Sequence, residues 1–283
     1  MSSSALHHRT FKRGGHKCFN SCLFFPRSTR RDLEVLYAFV RIADSFVETV
    51  PQHSDAFSRF RAQYEQARLG KPSESEVINS FCELERRRGF RSDWTDAFLH
   101  SMELDLHKFT YCTVEETLEY VHGSGEVIGL YIAAVLNLPP EAHDAARMLG
   151  RATQYITFVR DIDKYNRFGR CYLPIEETTL ADLEYATVVE DAPEFMRFMN
   201  AQLERYHRWR LEGETGYQFL SRRKLIPIKT AAETRRWTAA QIERNPFIVY
   251  ERQVKPSRLR VLAGTIRNAT ARTARLYNDR RRS

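Results

Sequence analysis

The segment Gln154–Pro174, QYITFVRDIDKYNRFGRCYLP, carries the strongest structural signal in this chain. A helix turns by about 100° per residue, so residues three, four and seven positions apart share one face. One face of this segment holds Gln154, Thr157, Asp161 and Tyr165. Burying a carboxylate on such a face costs free energy unless the carboxylate is paired or binds a metal.

An earlier segment, Tyr37–Glu48 (YAFVRIADSFVE), follows the same pattern. The polar face of this segment holds Tyr37, Arg41, Asp44 and Glu48. Two helices that each place acids on an otherwise apolar face predict a shared polar cavity. Carboxylate oxygens are ligands that Mg²⁺ prefers, so we expect this cavity to take a divalent metal and an anionic ligand.

The spacing of apolar residues predicts an all-α fold with one helical bundle and a central cavity. Strand signals are sparse, and Gly and Pro separate the helical segments. The predicted helices are Thr29–Thr49, Ser54–Leu69, Ser73–Arg87, Arg91–His107, Thr113–Leu136, Pro140–Tyr165, Asp191–Gly213, Leu220–Glu243 and Pro256–Asn278. We expect residues 1–15 to be disordered, residues 16–278 to form one domain and residues 279–283 to form a basic tail.

Composition limits the classes of protein to consider. No apolar run approaches the roughly 20 residues that span a bilayer, and we expect no signal peptide. The five cysteines do not have zinc-site spacing, which favours free thiols in a cytoplasmic protein. The net charge is +8, and residues 252–283 contain ten Lys and Arg against one acid. This basic end predicts either peripheral contact with the anionic inner face of a membrane or a solvated helix; no nucleic-acid partner is expected.

Five segments together resemble the squalene/phytoene synthase family, and archaeal-type members in particular. Besides the two segments above, the matching stretches are FNSCLFFPRSTRRDLEVLYAFVR (Phe19–Arg41), YVHGSGEVIGLYIAAVL (Tyr120–Leu136) and NPFIVYERQVKPSRLRVL (Asn245–Leu262). The resemblance runs from about residue 11 to residue 262. Its most specific part is the Arg-Asp pair followed by GRxYLP.

Both acidic motifs of that family are altered in this chain. The first motif usually reads DDxxD, and here its positions are Asp44, Ser45 and Glu48. The second usually reads NxxRDxxED, and here its positions are Thr157, Arg160, Asp161, Lys164 and Tyr165. Lys164 therefore puts a cation where the family has an acid.

The resemblance implies an isoprenoid synthase bundle that joins two prenyl diphosphates head to head. It assigns three residues to the metal: Asp44, Glu48 and Asp161. It assigns six residues to catalysis: Tyr37, Arg41, Tyr120, Arg160, Lys164 and Tyr172. The implied substrate-binding residues are His16, Lys17, Ser21, Arg41, Gln154, Arg160 and Arg170. Mg²⁺ is the implied cofactor; the number of ions and any use of NADPH stay open.

The expected product is phytoene from geranylgeranyl diphosphate or a squalene-type product from farnesyl diphosphate, with a slight preference for the former. The altered motifs leave two other functions open. In one, the chain has lost its chemistry and acts as a prenyl-diphosphate-binding or assembly protein. Alternatively, it acts on a single prenyl diphosphate as a hydrolase or as a transferase to another acceptor.

Overall fold

The structure is a computed structural model that describes residues 24–279, with side chains described up to Thr270. Its α-helices are α1 (Arg27–Val47), α2 (Ser54–Arg68), α3 (Glu76–Arg88), α4 (Ser92–Leu104), α5 (Val114–Val121), α6 (Val127–Val135), α7 (His143–Arg160), α8 (Ile162–Asn166), α9 (Tyr185–Glu190), α10 (Ala192–Glu214), α11 (Arg222–Arg244), α12 (Ile248–Glu251) and α13 (Arg258–Asp279). Within this described range there is no strand, only an isolated bridge between Thr110 and Cys171. The expected all-α fold is confirmed.

Helix α7 lies at the centre of the bundle. It packs against α6, α10 and α11, while α1 packs against α2 and α3 on the other side. Aromatic side chains fill the space between these layers; the rings of Phe39 on α1 and Phe81 on α3 stack with centroids 3.7 Å apart. Burying side chains of this size supplies the main driving force for the packing. The carboxylate motifs of α1 and α7 are thereby held on rigid helices.

The predicted helix Thr113–Leu136 is interrupted by a π-helical turn, His122–Glu126, which joins α5 to α6. Two backbones approach closely at this turn because Gly150 has no side chain: a Cβ on Gly150 of α7 would lie 2.2 Å from the carbonyl oxygen of Gly125. A π-turn adds one residue to the helical turn and so changes which side chains face the neighbouring helix. The prediction of one continuous helix was therefore wrong in this respect.

The predicted helix Pro140–Tyr165 is also divided. It begins with a 3₁₀ turn, Pro140–Ala142, and α7 then ends at Arg160 because Asp161 adopts φ −106° and ψ 25°. The short helix α8 follows directly. The regular helix is therefore interrupted at Asp161, although the Tyr165 amide still donates to the Asp161 carbonyl oxygen at 3.0 Å, as in a helical turn.

Candidate functional site

The first wall of the site is the C-terminal half of α1. Nη1 of Arg41 donates to Oε2 of Glu48 at 3.1 Å and lies 3.9 Å from Oδ2 of Asp44. Burial raises the pKa of Asp44 to about 8; Glu48 adds to the rise and Arg41 opposes it. A cation brought near such an acid would stabilise its ionised form and lower its pKa. The predicted polar face of α1 is therefore present, with both acids within 4 Å of one arginine nitrogen.

The second wall is the junction of α7 and α8. Nε of Arg160 donates to Oδ1 of Asp161 at 2.7 Å, and Nη2 of Arg160 contacts Oδ2. Adjacent residues on a regular helix do not face each other. The non-helical backbone of Asp161 allows this bidentate pair to form. Asp161 is buried, while Arg160 keeps one fifth of its side chain exposed.

A cationic edge borders these acids. Lys164 is exposed, and its charge lowers the pKa of Asp44 slightly against the effect of burial. Its ammonium also lies 5.4 Å from the ring centroid of Tyr165. Lys255, which the sequence did not single out, has a pKa lowered by burial and by the charges of Arg160 and Lys164. Several cations therefore meet at one edge, as anion binding requires.

Asp105 is the most important residue that sequence reasoning missed. It is 2% exposed, and its two carboxylate oxygens accept hydrogen bonds from the hydroxyls of Tyr120 at 2.7 Å and Tyr172 at 2.6 Å. Burial raises the pKa of Asp105 to about 6, although Arg170 and the two tyrosines lower it. A lone Asp just after a helix gives no signal of this in the sequence. Asp105 fixes two tyrosines that the resemblance assigns to catalysis.

Arg170 is buried in the same network. It donates to the carbonyl oxygens of Val47 at 2.8 Å and Asp105 at 2.9 Å, and to the Tyr172 hydroxyl at 3.0 Å. Gln52 donates to the same two carbonyls. Arg170 thus holds the end of α1 in place through its observed contacts, and its assignment to substrate binding stays a prediction.

Aromatic rings cover the floor of this region. Tyr172 stacks on Phe158 with centroids 4.5 Å apart and contacts Tyr120 at 5.0 Å. Tyr165 meets Tyr172 edge to face at 4.8 Å. Burial raises the pKa of the Tyr165 hydroxyl, and the negative charges of Asp161 and Glu48 raise it further. Tyr165, which occupies an acid position of the family motif, is therefore influenced by acids of both carboxylate motifs.

The remaining predicted residues differ in their placement. Tyr37 is partly buried on α1, and Gln154 on α7 lines an apolar pocket of about 260 Å³. His16, Lys17 and Ser21 lie outside the described residues, so their assignment stays a prediction.

The described carboxylates do not by themselves form a metal cage. Among residues 24–279, no group of three or more His, Cys, Asp or Glu side chains is arranged to hold a metal. Mg²⁺ is commonly held by one or two carboxylates together with substrate phosphates. Asp44 and Glu48 fit that kind of site. Burial and the charge of Glu48 raise the pKa of Asp44, so the pair would be stabilised by a cation. Their assignment to the metal, and that of Asp161, stays a prediction.

The structure is a helical bundle with acid–arginine pairs on α1 and at the α7–α8 junction, and with an apolar pocket that Gln154 of α7 lines. A family model described as squalene/phytoene synthase matches residues 11–260. The chain belongs to the squalene/phytoene synthase family, whose members are prenyltransferases. The expectation from the sequence is confirmed at this level.

The chain is similar to phytoene synthases of plants, with about a quarter of the aligned residues identical. Phytoene synthase 2, chloroplastic, of Solanum lycopersicum is 26% identical over 260 residues, covering 82% of this chain and 80% of that protein. Phytoene synthase 2, chloroplastic, of Zea mays is 28% identical over 158 residues, covering 53% of this chain. The match spans only 39% of the length of the maize protein.

Solved structures share the fold. A dehydrosqualene synthase in complex with a ligand superposes with a TM-score of 0.83 at 15% identity, covering 96% of this chain and 97% of that one. Squalene synthase HpnC from Alicyclobacillus acidocaldarius superposes with a TM-score of 0.77 at 18% identity, covering 87% and 94%. At these identities, the similarity concerns the fold alone.

Proposed function

We propose that this chain joins two prenyl diphosphates head to head, taking geranylgeranyl diphosphate to phytoene. The observation that carries the proposal is the pairing of two arginine-flanked carboxylate motifs with an apolar pocket of about 260 Å³. Gln154 lines that pocket from the same helix that ends at Arg160. The names of the plant relatives favour phytoene over a squalene-type product.

The charged groups would bind and ionise the diphosphate. Arg41, Arg160 and Lys164 supply positive charge to the leaving group, which is needed as its bond to carbon breaks. When bound by Asp44 and Glu48, Mg²⁺ would neutralise further negative charge on the diphosphate. Use of NADPH is not part of the proposal, because phytoene forms by loss of a proton.

The aromatic floor would protect the allylic cation that ionisation leaves. The faces of Phe158, Tyr165 and Tyr172 attract positive charge and exclude water from it. The Tyr172 hydroxyl donates a hydrogen bond to the carboxylate of Asp105, which keeps it directed away from the cation. A cation trapped against these rings survives long enough to be attacked by the double bond of the second chain.

Product analysis by mass spectrometry tests this function. Purified protein is given geranylgeranyl or farnesyl diphosphate with Mg²⁺, with and without NADPH, beside the variant Asp161→Asn. A C40 hydrocarbon that the variant fails to make is the expected result. A C30 hydrocarbon would correct the substrate, free prenyl alcohol would indicate a hydrolase, and intact substrate would contradict catalysis.

Lys164 offers a narrower test of how the altered motif works. An ammonium binds a diphosphate as a point charge and can replace a lost metal. Lys164→Ala should therefore abolish turnover, and Lys164→Glu should not restore it. A gain of activity in Lys164→Glu, at any Mg²⁺ concentration, would show that the site needs the family's acid instead.

A second function is favoured by one observation. Glu48 and Asp161 are each already paired with an arginine, so one acid of each motif is neutralised without a metal. A protein that only binds prenyl diphosphate would keep this arrangement. Calorimetric titration of Mg²⁺ with and without a thiolodiphosphate analogue separates the two functions, because only the synthase needs metal binding that depends on the analogue.

Peripheral binding to the anionic inner face of a membrane is also part of the proposal. Among the described residues, no helix is long and apolar enough to cross a bilayer. Helix α13 instead exposes Leu259 (78%), Leu262 (49%) and Ile266 (55%) along one face. Arg258 and Arg267 lie on either side of this stripe by helical position. A helix with exposed apolar residues between cations is suited to lie at an anionic lipid surface, where a very apolar product can leave.

A further inference from the structure

Two helices end close to the site with a backbone carbonyl that lacks a helical partner. Val47 is the last residue of α1, and the amide four positions further on would belong to Pro51, which has no N–H. Asp105 follows the last residue of α4. No backbone amide of the described residues donates to either carbonyl. Val47 is fully buried and Asp105 is 2% exposed, so each carbonyl needs another donor.

The side chain of Gln52 supplies that donor to both carbonyls. Its Nε2 donates to the carbonyl oxygen of Val47 at 2.9 Å and to that of Asp105 at 2.7 Å. An amide NH₂ group has two hydrogens, so both are used. Nη2 of Arg170 donates to the same two oxygens at 2.8 and 2.9 Å. We call these two side chains and the two carbonyls the carbonyl clamp, because they tie the ends of α1 and α4 together.

The carbonyl clamp connects two parts of the site that the proposed function uses. On one side, Glu48 directly follows Val47 in the chain. On the other side, the carboxylate of Asp105 accepts from the hydroxyl of Tyr172, whose ring belongs to the aromatic floor. The clamp therefore restrains how the last turn of α1, with its acid, lies relative to that floor.

Packing beyond the end of α1 is incomplete. A cavity of about 220 Å³ lies there, and Glu48, Gln52 and Arg170 line it. Val50 keeps 73% of its surface exposed. The last turn of a helix opens easily where few contacts restrain it. The hydrogen bonds of Gln52 therefore supply a restraint that side-chain packing does not.

We propose that Gln52 is a positioning residue for the reaction. It keeps the last turn of α1 closed, so that Glu48 stays where it can bind Mg²⁺ against the substrate diphosphate. This inference rests on the proposed function, because that function gives Glu48 a metal to hold. The side-chain hydrogen bonds of Gln52 go to the two carbonyls alone, whereas Arg170 also donates to the Tyr172 hydroxyl at 3.0 Å. Gln52 is therefore the residue whose replacement affects the clamp and nothing else.

Gln52→Met tests the proposal, because it removes both donors at nearly the same side-chain size. The analogue geranylgeranyl S-thiolodiphosphate is titrated by calorimetry with Mg²⁺ and again in EDTA. The gain in affinity from Mg²⁺ should fall about 3-fold to 10-fold, as expected for the loss of about one hydrogen bond. The affinity in EDTA should not change. Gln52→Lys, which can still donate, should recover part of the loss, and the matched control Gln66→Met, at an exposed position of α2, should change neither affinity.

A double-mutant cycle separates positioning from general support of the fold. If Gln52 acts through Glu48, Gln52→Met should cause no further loss of the magnesium effect in a Glu48→Gln background. A further loss of the same size would overturn the proposal. A Gln52→Met variant that melts at a lower temperature but keeps the full magnesium effect would overturn it as well, because the role of Gln52 would then be structural only.

Hydrogen exchange of the protein without ligand tests the carbonyl clamp independently of any reaction. The Glu48 amide, which donates to the Asp44 carbonyl at 2.9 Å, should exchange about 3-fold to 10-fold faster in Gln52→Met than in the unchanged protein or in Gln66→Met. Unchanged exchange would overturn the proposal.

Failure of the proposed function would look different. If the unchanged protein makes no hydrocarbon and gains nothing from Mg²⁺, the proposed function is wrong and the role of Gln52 in the reaction is wrong with it; faster exchange in Gln52→Met would then assign Gln52 to the structure alone. If hydrocarbon forms and Gln52→Met changes neither exchange nor the magnesium effect, the condensation stands and the positioning role is wrong.

Discussion

Glu126 should be the most sensitive single charge for the stability of the bundle. It is 1% exposed in the π-turn, and it accepts from Arg147 at 2.9 Å and from Arg151 at 2.6 Å. Burial by itself raises the pKa of Glu126, but the hydrogen bond from His122 and the charge of Arg151 outweigh burial and lower it from 4.5 to about 2. A shift of this size corresponds to about 3 kcal/mol of folding free energy.

The sign follows from the direction of the shift. The folded-state pKa lies below the unfolded value, so the contribution is complete above pH 4.5 and is lost as the pH falls toward 2. Urea unfolding at pH 7 should show Glu126→Gln about 3 kcal/mol less stable than the unchanged protein. The difference in unfolding free energy should shrink by about 1 kcal/mol at pH 4, where Glu126 is already mostly protonated in the unfolded state.

Glu204→Gln is the matched control, because Glu204 is exposed on α10. Its free energy of unfolding should stay within about 0.5 kcal/mol of the unchanged protein at both pH values. A Glu126→Gln variant as stable as this control would refute the reasoning, and so would a gap that grows as the pH falls.

Three further predictions concern packing, the buried network and the surface. Gly129→Ala should lower the free energy of unfolding by about 1–3 kcal/mol in thermal unfolding, because a Cβ there would lie 2.1 Å from the Ala146 carbonyl oxygen. The control Gly264→Ala, whose Cβ meets nothing closer than 3.8 Å, should not destabilise the protein. Asp105→Asn should lower the free energy of unfolding by about 1–3 kcal/mol in urea, because the single amide oxygen cannot replace the two carboxylate oxygens that accept from Tyr120 and Tyr172. If this variant is as stable as Asp96→Asn, in which an exposed acid is changed, the proposed network is wrong. Leu259→Ser with Leu262→Ser should release the protein from vesicles of anionic lipid in a sedimentation assay, whereas Leu211→Ser, 57% exposed on α10, should not; equal binding of both variants would rule out the α13 stripe.

Local patterns in the sequence predicted most of the helices and the two carboxylate motifs. Apolar spacing and breakers such as Gly89, which adopts φ 65° after α3, depend on neighbours a few residues away. The same spacing placed Arg41, Asp44 and Glu48 on one face of α1, as observed. Short helices such as α9 and α12 were not predicted because their few residues carry too little periodicity.

Contacts between distant segments were beyond the reach of such patterns. Asp105 meets Tyr172 across 67 positions, and Arg170 meets the carbonyl of Val47 across 123. The break at Asp161 and the π-turn that ends at Glu126 likewise depend on what each segment packs against. No local propensity marks these residues.

The sequence by itself determined that the chain is helical, which helices carry acids and arginines, and which family it resembles, because helical periodicity is a property of neighbouring residues. Only the tertiary structure decided that Asp105 anchors two tyrosines, that Tyr165 comes under the influence of acids from both motifs, and that Arg235 lines an apolar pocket. These facts depend on how far each helix slides and rotates against the next. That register is set by close packing across the whole bundle.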